Sequence, residues 1–282
     1  METLLNKNEI LLSCPPEDLD PAVTFGCGQC FRWREIFPRR WQGVARGKVL
    51  TLEGRSGELL LTGLSPREFD AWGRTYFDLD RDYGALKARY RRDPVLRQAV
   101  DYAPGLRLLH QDGWEALCTF IISQNNRIPR IAAIVERLCA CFGDPLGGGL
   151  YSFPGPERLA GLSLEDLAPL RSGYRGEYLL DCARRVASGA LELPSLETLP
   201  LAEAMARLLE VRGVGVKVAQ CALLFGFGRV ECFPEDTWIK QARRAFYPQG
   251  LPDWGDCCPG IAQQFLFHYA RCAGVLTGAV KK

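Results

Sequence analysis

The sequence predicts an α+β fold: an N-terminal antiparallel β-sheet domain over residues 1–105, followed by an all-α domain over residues 106–282. Two observations predict it. Up to about residue 62 the chain carries short apolar runs separated by tight glycine turns, the pattern of antiparallel hairpins. From Ser65 onward, helix-start signals and a helical apolar period take over and continue toward the C-terminus.

Residues 30–36, 41–45, 48–53 and 58–62 are the predicted strands. The second and third close a hairpin on Arg46-Gly47, and Gly54-Arg55-Ser56-Gly57 turns the chain into the fourth. Ser65-Pro66-Arg67-Glu68 is a helix start, with a Ser cap, Pro at the first position and Glu at the third. Helices are predicted over 66–77, 83–92, 94–102, 113–123, 129–142, 164–170, 175–188, 200–210, 216–227, 237–246 and 259–273, with the domain boundary near Pro104-Gly105. No repeat or low-complexity stretch interrupts them.

The chain has 282 residues, enough for one large domain or two ordinary ones with a real core. Thirty-five basic against 33 acidic residues leave a net charge of +2, which neither demands nor excludes a nucleic-acid partner. The start, Met1-Glu2-Thr3-Leu4-Leu5-Asn6-Lys7, lacks the pattern of a secretion signal, and no apolar run approaches a membrane span. We therefore expect a protein of the cytoplasm and nucleoid, or of the nucleus in a eukaryote, with no membrane partner. The 12 cysteines are scattered, and Cys27-Gly28-Gln29-Cys30 is a lone C-x-x-C in a chain with two histidines, His110 and His268. Without a second pair this is no zinc site, and the set reads as buried free thiols of a reducing compartment.

The most informative segment runs Leu208-Leu209-Glu210-Val211-Arg212-Gly213-Val214-Gly215-Val216-Lys217-Val218-Ala219-Gln220-Cys221-Ala222. One helix ends, two glycines turn the chain, and a second helix starts. Glycine permits a positive φ and close backbone approach, and the new helix presents unpaired N–H groups at the positive end of its dipole. Gly213, Val214 and Gly215 are thus suited to seat a DNA phosphate, and the carbonyls of Leu209, Val211 and Val214 to hold a monovalent cation. An ordinary packing turn has the same glycines. Lys217 separates the two readings. It stands in the first turn of the second helix, on the same face as Cys221 one turn on. The dipole and partial burial are expected to disfavour its ammonium form there, and a neutral amine is a nucleophile.

Phe233-Pro234-Glu235-Asp236-Thr237-Trp238 follows. Pro234 forces an extended lead-in and Asp236 stands where the next helix begins, so a plain N-cap is one reading. The second oxygen of a capping carboxylate can still face a neighbour, where it would stabilise positive charge on a sugar ring or relay a proton.

The hairpin with Lys217, followed by the Pro-x-Asp of Pro234 and Asp236, resembles the HhH-GPD superfamily of DNA glycosylases, in which a lysine at this place marks the members that also cut the strand. Within it the chain resembles the 8-oxoguanine DNA glycosylases of the eukaryotic-like type, from about Pro21 to about Arg271. The resemblance implies a helix-hairpin-helix glycosylase domain and damaged double-stranded DNA as the partner of a monomer that needs no cofactor. It makes Lys217 the nucleophile at C1′, with Asp236 beside it, and the resulting Schiff base cleaves the strand by β-elimination.

Further motifs carry further implied roles. Gly28-Gln29-Cys30-Phe31-Arg32-Trp33 is similar to the family's G-Q-x-F-R-W, whose glycine carbonyl accepts the N7–H that 8-oxoguanine has and guanine lacks. In Ala262-Gln263-Gln264-Phe265-Leu266-Phe267, Gln263 and Phe267 share a helical face. The resemblance puts Phe267 and Cys221 on the two faces of the lesion and Gln263 on its Watson–Crick edge. Ser123-Gln124-Asn125-Asn126-Arg127-Ile128-Pro129-Arg130 resembles the family's S-N-N-N-x-x-R, and Gly173-Tyr174-Arg175 its G-Y-R. These imply Asn125 and Asn126 at the hole left by the flipped base, Tyr174 as a wedge, and Arg130 and Arg175 on the orphan cytosine. The chain departs from the eukaryotic pattern at Trp238, where those members carry a histidine, at Ala270, where they carry its supporting aspartate, and at Arg127, where they carry a third asparagine. Two other readings stay open on the sequence: a superfamily glycosylase for other damaged purines such as alkylated ones, and a non-catalytic helix-hairpin-helix DNA-binding protein. Lys217 and Gly28 speak against the first, and the conjunction of Lys217, Asp236, Gln263 and Asn125 against the second.

Overall fold

The computed structural model describes residues 2–6, 8–252 and 258–276. Its N-terminal part is one antiparallel sheet built from β1 (Glu2–Asn6), β2 (Glu9–Leu12), β3 (Trp33–Phe37), β4 (Arg40–Ala45), β5 (Lys48–Arg55) and β6 (Glu58–Thr62), in the order β1-β2-β6-β5-β4-β3. The hairpin between β4 and β5 turns on Arg46 and Gly47, both at positive φ (47° and 72°), the twist that two-residue hairpins favour. Two strands exceed the sequence reading: β1 and β2 add a short hairpin at one edge. Residues 30–32, read as the start of a strand, lie ahead of β3 as a bend that sends Cys30 into the sheet's core.

A six-residue helix, α1 (Pro21–Gly26), lies between β2 and β3, capped by Asp20. Its Phe25 stacks on Trp33 at 4.1 Å and 5°, closing the sheet's apolar face over Leu50, Leu52 and Leu61. The capping box at Ser65 is present, but the predicted helix over 66–77 is broken into α2 (Pro66–Glu68), a π-turn over Phe69–Gly73 and α3 (Arg74–Tyr76).

The rest of the described chain is helical: α4 (Tyr83–Tyr90), α5 (Pro94–Tyr102), α6 (Gly113–Ser123), α7 (Ile128–Phe142), α8 (Pro156–Ala160), α9 (Arg175–Ala187), α10 (Leu201–Leu209), α11 (Val216–Gly226), α12 (Thr237–Phe246) and α13 (Pro259–Cys272). Asp82, Asp93, Asp112 and Asp236 cap α4, α5, α6 and α12 with side-chain oxygens, which fixes where each begins. The helix predicted over 164–170 does not form. Only a 3-10 turn at Ala168–Leu170 is present, because Pro169 lacks the N–H an α-helix needs and would clash with the carbonyl of Glu165. A small hairpin, β7 (Pro145–Gly147) with β8 (Leu150–Tyr151), and α8 take the chain through a stretch the sequence reading left open.

Two apolar cores result. One lies under the sheet; the other surrounds α11, whose residues from Val218 to Gly226 are buried but for Gln220 and which packs along α6. Tyr83, Tyr90, Leu96 and Val100, from helices that precede Pro104-Gly105, belong to the second core. Gln29 links the two. Fully buried, it donates to the carbonyls of Thr24 (2.9 Å) and Arg107 (2.7 Å) and accepts from Leu109 N–H (2.8 Å), while its own carbonyl accepts from Gln111. With its side-chain amide and its carbonyl paired, Gln29 fixes the neighbouring backbone of Gly28.

Of the cysteines, Cys27, Cys30, Cys118, Cys139, Cys182, Cys221 and Cys232 are buried and free. Cys141 and Cys272 are exposed, which corrects the reading of a wholly buried set, and Cys257 lies outside the described residues. Among the described residues no cluster of His, Cys, Asp and Glu could hold a metal, and no helix is long and apolar enough to cross a membrane.

Candidate active site

The turn between α10 and α11 explains its two glycines differently. Gly213 has φ +79°, and a Cβ there would stand 2.2 Å from the Tyr178 ring, so both backbone and space require glycine. Gly215 does not adopt a positive φ: it is extended, at φ −99° and ψ 176°, and a Cβ on it would meet nothing within 4 Å. What it supplies is open space over the uncapped N-terminus of α11, where the first-turn N–H groups and the dipole face outward beside exposed Val216.

Lys217 turns inward from that first turn. Its Nζ lies 3.5 Å from Ser123 Oγ at the end of α6 and 5.6 Å over the Phe120 ring. Asp236 approaches from the next segment. Its Oδ1 accepts Ile239 N–H at 2.9 Å, so the N-cap reading holds, and the same side chain lines a cavity together with Lys217. Burial raises the Asp236 carboxyl above the usual range, against the opposing pull of the cap N–H, Lys217 and Arg271. A carboxylate partly desolvated beside an amine is the pairing that sugar-ring chemistry needs.

The cavity, about 50 Å³, brings together residues far apart in sequence. Lys217, Cys221, Asp236, Gly28, Gln263 and Phe267 all line it, together with four residues to which the sequence assigned no place in a pocket: Phe120, Phe225, Pro234 and Gln264. Cys221 is buried, and its thiol is pushed up by desolvation. Gln263, 4% exposed, donates Nε2 to the Pro234 carbonyl at 2.9 Å, while its Oε1 has no hydrogen-bond partner among the described residues. A buried acceptor without a donor, on a cavity wall, is a group waiting for a ligand N–H. A volume of this size holds a few waters.

A second cluster sits at the end of α6. Asn125 is exposed and left-handed (φ 46°), and its Nδ2 is 3.4 Å from Tyr174 Oη. Tyr174, 45% exposed, carries the Arg175 guanidinium over its ring at 4.5 Å. Arg175 itself is buried and donates to the carbonyls of Gln124 (2.8 Å), Asn125 (3.0 Å) and Ser172 (3.2 Å), so its donors brace the turn in this state. Asn126 is also turned inward: it donates to the Ile122 carbonyl (3.2 Å) and accepts Arg127 N–H (3.0 Å). Arg130 is exposed, 3.4 Å from the Arg171 carbonyl. The structure thus gathers all five at one surface, with Asn125 and Tyr174 presented outward and Asn126 and Arg175 holding the backbone beneath them. Ser123, which touches Lys217, joins this surface to the cavity. Only its place in the quoted motif signalled it, because a helix-terminal serine usually just bonds back to its own helix, as its Oγ also does here to the Phe120 carbonyl.

Residues 11–117 match the family model for the 8-oxoguanine DNA glycosylase N-terminal domain, and residues 118–249 that for the HhH-GPD superfamily base excision DNA repair protein. The chain is 29% identical to the N-glycosylase/DNA lyase OGG1 of Arabidopsis thaliana, covering 91% of this chain and 75% of that protein. It is 30% identical to a probable N-glycosylase/DNA lyase of Methanothermobacter thermautotrophicus, covering 71% of this chain and 73% of that one. The solved structure of Clostridium acetobutylicum 8-oxoguanine glycosylase/lyase with double-stranded DNA containing cytosine opposite 8-oxoguanine superposes with a TM-score of 0.89 at 32% identity, covering 98% of this chain and 99% of that one. With both family models matched in succession along most of its length, the chain belongs to the 8-oxoguanine DNA glycosylases of the HhH-GPD superfamily.

Proposed function

We infer that the protein excises 8-oxoguanine from duplex DNA and then nicks the strand. The observation that carries this reading is the single cavity shared by Lys217, Asp236 and the four expected pocket residues. A flipped lesion enters between Phe267 and Cys221, with the Gly28 carbonyl on N7–H and the unpaired Gln263 Oε1 on a Watson–Crick N–H. Lys217 Nζ attacks C1′, and the bond to N9 breaks with its electron pair on the base. Asp236 stabilises the positive charge that builds on the sugar. The amine then forms a Schiff base with the opened sugar, loss of a C2′ proton expels the 3′ phosphate, and no cofactor enters the chemistry.

Around this centre, the open N-terminus of α11 at Val214 and Gly215 binds a phosphate of the lesion strand. The carbonyls of Leu209, Val211 and Val214 hold a monovalent cation; that of Val211 already accepts Val214 N–H at 3.0 Å and keeps a second lone pair. Asn125 and Tyr174 enter the duplex where the base has left. Arg130 and Arg175 favour cytosine opposite the lesion, and the protein acts as an intracellular monomer. The test is borohydride trapping on 8-oxoguanine:cytosine duplexes. A covalent enzyme–DNA adduct that disappears in Lys217→Gln is the expected result. Base release without adduct or strand cut would instead assign a water-activating glycosylase, and tight binding without turnover a non-catalytic one.

A further inference from the structure

A backbone carbonyl can read a base edge only if no other donor occupies it and its direction is fixed. Among the four carbonyls from Gly26 to Gln29, one meets that condition. The Gly26 carbonyl accepts Arg271 Nη2 at 2.7 Å, the Cys27 carbonyl accepts Gln264 Nε2 at 3.2 Å, and the Gln29 carbonyl accepts Gln111 Nε2 at 2.7 Å. The Gly28 carbonyl, between them, accepts no hydrogen bond among the described residues. Side chains from α13 and from the segment ahead of α6 thus pin the chain on both sides of Gly28 and leave its acceptor open. Each peptide unit is planar, so the unit carrying that carbonyl turns only about bonds to two units already held. The hold is needed, because glycine has the freest backbone of any residue and Gly28 sits at φ +86°. Of the three clamps, Gln264 alone stands on the cavity wall. It is 2% exposed, follows Gln263 on α13, and lines the cavity together with Gly28. Burial pushes the Cys27 thiol up, and the Gln264 amide, placed against the sulfur, opposes that rise. A buried amide on a core helix carries a desolvation cost that an apolar side chain would not, and the bond to Cys27 offsets it.

We propose that Gln264 is a specificity-determining positioning residue: by holding the Cys27 carbonyl it aims the neighbouring Gly28 carbonyl at N7–H of the lesion. The inference rests on the 8-oxoguanine reading and deepens it. Gln264 acts through Gly28 and needs no contact with the base. Guanine and 8-oxoguanine share their Watson–Crick edge, but at N7 the oxidised base presents a hydrogen and guanine a lone pair. A misaimed Gly28 carbonyl therefore costs the lesion a hydrogen bond and relieves guanine of a repulsion, so discrimination falls from both sides.

The experiment measures duplex affinity by gel shift for the full chain and for Gln264→Met, which keeps the side chain's length and removes its donor. The duplexes carry 8-oxoguanine or guanine opposite cytosine, each on a 2′-fluorinated sugar, whose electron withdrawal blocks loss of the base. The wild-type preference for 8-oxoguanine over guanine is expected to narrow by about tenfold in Gln264→Met. Equal weakening on both duplexes would make Gln264 a support of the whole pocket, or a contact to the edge the two bases share, and the proposal falls. It falls too if the variant keeps the wild-type preference. Should Gln264→Met not fold, Gln264→Asn, whose amide stops one methylene short of Cys27, carries the test with the same readings. Wild type that shows no preference for 8-oxoguanine removes the underlying 8-oxoguanine reading itself.

Discussion

The lesion cavity and the Asn125–Tyr174 surface share one helix, α6, and are built by opposite means. The cavity draws on Gly28, Phe120, Lys217, Asp236 and Gln263, which come from the segment before β3, from α6, α11 and α13, and from the cap of α12. Phe120 and Gln263 are buried, and Gly28, Lys217 and Asp236 are half-buried. The surface is a single turn after α6, braced by Arg175 on its carbonyls, with its outward side chains in solvent. The difference teaches where the molecule invests its order. The chemistry is enclosed by tertiary packing, whereas the duplex-facing residues stand on an exposed turn that Arg175 braces from a distant part of the chain. Changes in the cavity should therefore alter rate steeply, and changes at the surface should alter selectivity mildly.

The largest expected effect is that of Lys217→Gln. Removing the nucleophile should lower single-turnover excision by at least about 10³-fold, with duplex affinity by gel shift unchanged. Asp236→Asn comes next. Asparagine caps a helix as well as aspartate, so the melting temperature should hold while base loss slows by roughly 10²-fold. A variant that melts early but turns over normally would make Asp236 a cap and nothing more.

Those two residues were legible in the sequence because each obeys a local rule with a chemical surplus: a lysine against a helix dipole, and a capping aspartate after a proline. The helices with aspartate caps were legible for the same local reason. What the sequence hid is tertiary. Phe120 and Gln264 read as core residues of apolar helices until α6 and α13 are seen to face the same space. The π-turn at Phe69–Gly73 keeps a helical apolar pattern while changing its register. Asn126 and Arg175 were identified by motif, yet their bonds to backbone show a bracing role that no spacing reveals.

A sharper test of preorganisation lies where the two halves of the cavity are pinned together. Arg32, four residues past Gly28, pairs with Glu115 in the first turn of α6 at 3.2 Å, with side chains 9% and 12% exposed. Burial pushes the Glu115 carboxyl up to about 7, against the opposing charge of Arg32. A raised carboxyl pKa means the folded chain holds this proton more tightly than the unfolded chain. Its contribution is therefore fully present below the unfolded value of 4.5 and is lost as pH rises through about 7. Relative to Glu115→Gln, wild type should lose about 3 kcal/mol of unfolding free energy between about pH 4.5 and pH 7.5, measured by urea titration. A pH-independent difference between the two proteins would detach this pair from the stability of the cavity.

The smallest effect is expected at the exposed surface, and it separates backbone from side chain. Asn125 holds a left-handed conformation that asparagine and glycine tolerate and alanine resists. Its amide touches only Tyr174 Oη, at 3.4 Å, among the described residues. Asn125→Ala should lower excision opposite cytosine by about tenfold and narrow the preference for cytosine over adenine, with little change in melting temperature. Asn125→Gly restores the backbone without the amide. If the glycine variant excises and discriminates as poorly as the alanine variant, the side chain is what fills the duplex. If it recovers wild-type behaviour, the turn's shape suffices, and the contrast between an ordered cavity and a locally held reader narrows to the cavity alone.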